Sequence, residues 1–197
     1  MRIEICAPMG TGKSTLARKL SEANNWKLIQ EPVKKHPFLE AFYEDQKFSL
    51  EKNLFFLLHY MHDIKLCDNG GFIFDHANVL HKSYAALNSD DTDEANTFAA
   101  LNKNIVNLGH PDLLINLTCS NEVILERIKS RGRDFESSVD INYISALNAE
   151  IEKQINSIEG ELPILHIDSE KYNFADNQDD ADEVISIIND YIDNLKA

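Results

Sequence analysis

Short apolar runs alternate along this chain with longer segments in which apolar residues recur every three or four positions. The runs at 3–6, 27–30, 72–75, 113–118 and 163–168 predict five strands. The spacing of apolar residues predicts helices in the segments between and after the strands, at 13–24, 48–66, 92–108, 120–129, 141–158 and 181–195. Strands separated by helices are typical of βαβ units. The pattern therefore predicts an α/β fold, with a five-stranded parallel sheet and helices on both faces.

Two segments add detail to this pattern. Residues 54–58 read Leu-Phe-Phe-Leu-Leu, which is apolar on nearly every side of a helix, so we expect that helix to be mostly buried. Residues 173–182 are polar and predict a loop. The sequence contains no repeat or low-complexity stretch, and 197 residues suit one domain, predicted over 1–197.

Composition narrows the range of partners. The chain has 19 basic and 33 acidic residues, a formal charge of −14, which repels nucleic acid and anionic membranes. We therefore expect neither as a partner. The apolar run at 54–61 is too short to span a bilayer. Three cysteines without a C-x-x-C pair indicate free thiols, with Cys6 and Cys119 buried, and hence a reducing cytoplasmic location.

A phosphate-binding motif follows the first strand. The eight residues from Ala7 read Ala-Pro-Met-Gly-Thr-Gly-Lys-Ser, which matches G-x-x-x-x-G-K-[ST] with Ala7 at the first glycine position. Gly10 and Gly12 let backbone N–H groups turn inward around a polyanion, and the next helix directs its positive end there. The positive charge of Lys13 suits the β- and γ-phosphates, and the hydroxyl of Ser14 suits Mg²⁺. The motif predicts a P-loop NTPase fold with ATP and Mg²⁺ as cofactors.

A carboxylate and an arginine cluster complete this chemistry. Glu31 directly follows the second strand, where it can accept a proton from an attacking hydroxyl, although a solvated Glu before a turn is the alternative. Three of the chain's five arginines, Arg127, Arg131 and Arg133, lie within seven positions beside a glycine. Such a segment predicts an arginine-rich lid over the phosphates at about 127–138. A charged helix end is the alternative.

With these motifs in place, the chain resembles the deoxynucleoside kinase family. The resemblance covers most of the chain: the phosphate loop, Glu31-Pro-Val, Phe42-Tyr-Glu-Asp, Asp75, Pro111-Asp-Leu, residues 126–133, Pro163-Ile-Leu and Ile167-Asp. It implies that ATP donates a phosphoryl group to the 5′-hydroxyl of a deoxynucleoside. Glu31 would then be the general base, and Tyr43 and Glu136 would hold the sugar 3′-hydroxyl. Homodimers formed through helices beside the sheet are also implied.

The motifs and the resemblance together predict four groups of site residues. The catalytic residues are Glu31, Lys13, Arg127 and Arg131. The nucleotide is expected at Ala7, Pro8, Met9, Gly10, Thr11, Gly12, Lys13, Ser14, Thr15, Arg131 and Arg133. The nucleoside is expected at Glu31, Tyr43, Asn53, His76, His81 and Glu136. The magnesium ligands are expected to be Ser14 and Asp75.

The sequence departs from the family at the acceptor side. The family carries Asp-Arg-Ser or Glu-Arg-Ser after strand three, and this chain has Asp75-His76-Ala. A histidine is charged only near or below a pKa of about 6.5, so His76 would replace the arginine weakly. Asn53 stands where the family has a base-pairing Gln, and His81 and Ala85 fall where an Asp and an aromatic residue are usual. These changes predict a rebuilt nucleobase pocket.

Three functions follow from this pattern. The first is an ATP-dependent nucleoside kinase. The second is a thymidylate-type monophosphate kinase, whose dianionic acceptor usually needs an arginine clamp. No arginine lies between Arg18 and Arg127, and Lys34, Lys35 and Lys82 would serve less well, so a neutral acceptor fits better. The third is a nucleotide-binding homologue with impaired catalysis, which the His76 departure favours.

Overall fold

The computed structural model describes residues 1–45, 47–88, 91–133 and 136–196. Its sheet has five parallel strands in the order β2-β3-β1-β4-β5. The strands are β1 (Arg2–Cys6), β2 (Lys27–Ile29), β3 (Phe72–Phe74), β4 (Leu113–Thr118) and β5 (Ile164–Asp168). The predicted α/β fold is confirmed, and all five predicted strands are present within one or two residues of their expected ends.

Helices connect the strands and follow the last one. Within the described ranges they are α1 (Lys13–Asn24), α2 (Leu39–Asp45), α3 (Ser49–Lys65), α4 (Asn78–Asn88), α5 (Thr92–Val106), α6 (Asn121–Arg131), α7 (Ile141–Asn156) and α8 (Gln178–Lys196). Side-chain caps mark some of their starts, since Ser120 accepts from Val123 N–H and Asp140 from Tyr143 N–H. None of these helices is long and apolar enough to cross a lipid bilayer.

The two faces of the sheet bury different sets of helices. Ile3 and Ile5 of β1 face a core that includes Leu16 of α1 and Ile188 of α8. Cys6 belongs to the opposite core, with residues of α4 and α7. Because side chains alternate along a strand, one short apolar run supplies both layers. A further core joins β3 to α3 and α5.

Three details differ from the sequence-based expectations. The apolar run in α3 is not buried all round, because Leu57 is fully buried and Leu58 is 52% exposed. The polar segment 173–182 is a loop only in part, since α8 begins at Gln178, where Asp179 and Asp180 favour the helix N-terminus. The three cysteines are free thiols, but only Cys6 is buried; Cys119 is half-buried.

Two helices have no counterpart in the sequence pattern. Helix α2 has seven residues, too few for helical spacing to become clear. Helix α4 carries His81 and Ser83 on its buried side, so its polar residues hide the periodicity. Its position depends on packing against α3 and α7, and local sequence does not reveal that packing.

Candidate active site

A cavity of about 740 Å³ opens at the carboxyl ends of the strands and extends toward α2, α3 and α4. Open parallel sheets usually bind ligands at this edge. The structure brings most of the predicted site residues to its walls: Met9, Gly10, Gly12, Lys13, Ser14, Thr15, Glu31, Tyr43, Asn53, Asp75, His81, Arg127, Arg131, Arg133 and Glu136. Ala7, Pro8, Thr11 and His76, also predicted for the site, are not among its lining residues.

The phosphate loop takes a conformation that depends on its glycines. Gly10 has φ 85° and Gly12 has φ 99°, a region that other residues rarely adopt. A Cβ on Gly10 would lie 3.0 Å from the Ile124 carbonyl oxygen, and one on Gly12 would lie 3.0 Å from the Phe174 ring. Inside the loop, Thr11 Oγ1 donates to the Pro8 carbonyl at 2.8 Å. The conformation of the loop is therefore fixed by its own hydrogen bond and by the close packing of Ile124 and Phe174 against its glycines.

Lys13 carries the positive charge of this loop. Its Nζ donates to the Pro8 carbonyl oxygen at 3.1 Å. Burial lowers the pKa of Lys13, while the carboxylates of Glu31 and Asp75 act in the opposite direction. The ammonium group thus lies in the field of two carboxylates that follow neighbouring strands.

Glu31 and Asp75 come from adjacent parallel strands, β2 and β3. Asp75 Oδ1 accepts the Glu31 backbone N–H at 2.6 Å, which fixes the turn after β2. Burial raises the pKa of the Glu31 carboxyl to about 7, with Lys13 lowering it and Asp75 raising it. A group with a pKa near the working pH is well matched to accept a proton and release it.

The three clustered arginines divide into two kinds. Arg131 Nη2 donates to Glu136 Oε2 at 2.5 Å, and Arg133 Nη1 donates to Glu136 Oε1 at 3.3 Å. Gly132, with φ 61°, ends α6 between them. Residues 134 and 135 of the predicted lid lie outside the described residues.

Arg127 lies on α6, and its side chain is held by residues outside that helix. Its guanidinium donates to the Ser169 carbonyl at 3.1 Å and Ser169 Oγ at 3.2 Å, and contacts the Thr11 carbonyl at 3.5 Å. It therefore connects the phosphate loop to the segment after β5. Its partners differ from those of Arg131 and Arg133, which are both paired with Glu136.

The two histidines of the acceptor side form a buried pair. His76 is fully buried, and its Nδ1 lies 3.1 Å from His81 Nε2. Burial, with a smaller effect of Lys13, lowers the pKa of His76 to about 3. His76 is therefore neutral near pH 7 and supplies no positive charge in place of the family arginine. His81 reaches the cavity wall, whereas Ala85 is buried in the core beside α3 and α5.

Some wall residues were not expected from the sequence, notably Lys52 of α3 and Tyr84 of α4. Lys52 is only 3% exposed and directly precedes Asn53, the predicted base contact. The sequence did contain a signal, because a lysine beside Asn53 at the start of a largely apolar helix can face inward. Tyr84 carried no such signal, since α4 itself was not predicted.

The parallel sheet, the phosphate loop at the end of β1 and the carboxylates after β2 and β3 define a P-loop phosphotransferase. A family model described as deoxynucleoside kinase matches residues 3–193. The chain belongs to the deoxynucleoside kinase family and is thereby an ATP-dependent nucleoside kinase.

Individual relatives agree with this assignment. A deoxyguanosine kinase of Bacillus subtilis is 26% identical over 96% of this chain and 97% of its own length. A deoxyadenosine/deoxycytidine kinase of the same organism is 28% identical over 95% and 93%. The solved structure of deoxyadenosine kinase from M. mycoides with bound dCTP superposes with a TM-score of 0.83, at 25% identity, over 96% of this chain and all of that one.

Proposed function

We propose that this protein transfers the γ-phosphoryl group of ATP to the 5′-hydroxyl of a 2′-deoxynucleoside. The observation that carries the proposal is the meeting of Lys13, Glu31 and Asp75 at one end of the cavity, where burial raises the pKa of Glu31 to about 7. A hydroxyl acceptor needs such a base, whereas a phosphate dianion beside Glu31 would be repelled.

The donor half binds the triphosphate through the phosphate loop. Its backbone N–H groups and the N-terminus of α1 suit the phosphate charge, and Lys13 places its ammonium group on the β- and γ-phosphates. Ser14 and Asp75 both line the cavity, and hydroxyl and carboxylate oxygens are ligands that Mg²⁺ accepts. In the described part of the chain there is no cluster of three His, Cys, Asp or Glu side chains able to hold a metal. Such a small protein contribution fits Mg²⁺, which takes its other ligands from phosphates and water.

The acceptor half binds the nucleoside. Glu31 takes the proton of the 5′-hydroxyl as the oxygen attacks phosphorus, and ADP leaves. Tyr43 and Glu136, which both line the cavity, hold the sugar 3′-hydroxyl. Asn53 and His81 face the base from α3 and α4.

We propose one domain over residues 1–197, with a lid at about 127–138. In this arrangement Arg131 and Arg133 are paired with Glu136 before the substrates bind. Binding of the sugar at Glu136 frees the two guanidinium groups to turn to the phosphates. The anchored Arg127 stays in place and holds the loop.

A second candidate is a nucleotide-binding homologue with impaired transfer, which the neutral, buried His76 favours. One experiment separates the candidates. The purified protein is incubated with γ-labelled ATP, Mg²⁺ and separate panels of deoxynucleosides and their monophosphates. Label on the nucleosides supports the proposal. Label on the monophosphates alone, or ATP binding without transfer to either panel, contradicts it.

We also propose a homodimer in a reducing cytoplasm. Three apolar side chains support the dimer, since Leu58 on α3, Leu66 directly after α3 and Val106 on α5 are each more than half exposed. Three free thiols support the compartment. Light scattering coupled to size-exclusion chromatography tests the first, because a monomeric mass at micromolar concentration would contradict it. Cell fractionation tests the second.

A further inference from the structure

A buried lysine lies in the acceptor half of the cavity. Lys52 is 3% exposed, and its Nζ lies 3.5 Å from the centre of the Phe42 ring and 5.5 Å from that of Tyr84. The same cavity wall carries Glu31. Aromatic faces attract a cation, but they replace its hydration only in part. The ammonium group is thus held inside the site, away from bulk water.

The backbone of Lys52 is fixed relative to the segment that carries Glu31. His36 Nε2 lies 3.1 Å from the Lys52 carbonyl oxygen, and His36 Nδ1 accepts the Phe38 N–H at 3.2 Å. These two partners assign the proton to Nε2, so His36 donates to Lys52. This hydrogen bond links the start of α3 to the segment that follows Glu31. It thereby fixes the position of the Lys52 backbone relative to Glu31.

Among the residues that the structure describes, no carboxylate forms an ion pair with Lys52. The ion pairs found over the described ranges do not include it. Burial lowers its pKa to about 7, and the charge of Glu31 is the influence that raises it. Burying a cation without an ion pair costs stability, so such a residue in a cleft points to a role in function.

The other basic groups at the cavity are bonded to other partners, neutral or exposed to solvent. Lys13 donates to the Pro8 carbonyl in the phosphate loop, and the guanidinium groups of Arg131 and Arg133 are paired with Glu136. His76, at the family's arginine position, is neutral near pH 7 because burial lowers its pKa. Lys34 and Lys35 line the cavity but are exposed. The acceptor side thus has a buried lysine on α3, whereas the family has an arginine after the third strand, at the position of His76.

We propose that Lys52 is a catalytic residue whose ammonium group contacts the 5′-oxygen of the bound nucleoside beside Glu31. The inference rests on the proposed function. During transfer the hydroxyl proton moves to Glu31, an oxygen–phosphorus bond forms, and the bond from the γ-phosphorus to the bridging oxygen of ADP breaks. Lys52 gives and takes no proton; it stabilises the negative charge that grows on the attacking oxygen.

The test compares three variants with the wild type on every deoxynucleoside that it phosphorylates. Lys52→Met keeps the length of the side chain and removes the charge, and we expect kcat to fall about 100-fold for all of them alike, with KM for ATP unchanged. Lys52→Arg restores the charge and is expected to recover at least about a tenth of wild-type kcat. Lys65→Met, exposed at the end of the same helix, is the matched control and keeps normal kcat.

Melting temperature separates a catalytic role from a structural one. Lys52→Met removes a buried charge without an ion pair, so the variant is expected to melt at the wild-type temperature or above. Near-normal kcat of Lys52→Met overturns the inference and leaves the proposed function intact. A loss confined to the nucleoside KM that varies with the base also overturns it, and assigns Lys52 to base recognition. A fall in melting temperature with no recovery by Lys52→Arg assigns a structural role instead. A wild type that phosphorylates no nucleoside overturns both proposals.

Discussion

The donor and acceptor halves of the cavity are built from different parts of the polypeptide. The donor half is a loop of backbone N–H groups whose shape depends on Gly10 and Gly12. The acceptor half is lined by side chains from α2, α3 and α4, among them Asn53 and His81, which depart from the family. The third departure, His76, is buried next to His81 and does not line the cavity. A site built from backbone N–H groups suits the donor half, because the triphosphate that it binds is the same for every acceptor. A side-chain site can be rebuilt residue by residue for another acceptor without altering the sheet.

The two halves also treat charge differently. On the donor side, the half-buried cation Lys13 lies in the field of Glu31 and Asp75. On the acceptor side, burial lowers the pKa of both His76 and His81, and Lys52 forms no ion pair with any carboxylate that the structure describes. Two carboxylates thus act on Lys13 and only Glu31 acts on Lys52, so we expect the donor half to be the more preorganised of the two. Four experiments test this contrast.

Glu31→Gln gives the largest expected effect. Removing the base should lower kcat about 1,000-fold while ATP binding persists, because general bases contribute roughly 10² to 10⁴ in rate and the donor half is untouched. Steady-state kinetics and equilibrium dialysis with ATP measure the two properties. Glu40→Gln, an exposed carboxylate on α2, is the control. Near-normal turnover in Glu31→Gln would remove Glu31 from its assigned role.

Lys13→Met changes the donor half of the cavity and leaves the acceptor-side base Glu31 in place. Loss of its ammonium group should reduce turnover by about 10² to 10³ and weaken ATP binding, because a preorganised cation at the phosphates is lost. Nucleoside affinity, measured by calorimetry, should fall less than ATP affinity, because the charge of Lys13 reaches the acceptor half only through its effect on Glu31. Lys19→Met on the same helix is the matched control. Equal losses of ATP and nucleoside binding would show that the halves are coupled.

The pH dependence of kcat/KM for the nucleoside reports the protonation of the acceptor half. Burial raises the pKa of Glu31 to about 7, so the carboxyl is protonated and inactive as a base below that pH. We expect kcat/KM to fall about tenfold per pH unit on the acid side of 7. A plateau that extends unchanged to pH 5 would contradict the raised pKa.

Asn53→Gln is expected to have the smallest effect. The longer amide, as in the family, must fit where Asn53 is 5% exposed, and we expect nucleoside KM to rise about fivefold, near 1 kcal/mol, with kcat unchanged. The size of the change should differ among bases, because we propose that this residue faces the base. Asn69→Gln in an exposed turn is the control. A change in kcat instead would place Asn53 near the reacting atoms.

Much of the fold could be predicted because its signals are local. Strand β4 and helix α1 have the predicted bounds, since a run of apolar residues or a regular spacing needs no knowledge of the rest of the chain. The phosphate loop was predictable for the same reason, as its contacts lie within one short segment. Helix α2 was missed because seven residues show little periodicity, and helix α4 because it packs against α7, which lies far away in sequence.

The order of residues by itself determined the sheet, the phosphate loop, the carboxylate after β2 and the family. Only the tertiary structure decided that His76 is neutral, that Arg127 is an anchor and that Lys52 is buried beside the acceptor. Each of these properties depends on groups from separate segments, as when Phe42 and Tyr84 enclose the Lys52 ammonium group. The physical reason is that burial and charge are set by the surrounding groups, and folding alone brings those groups together.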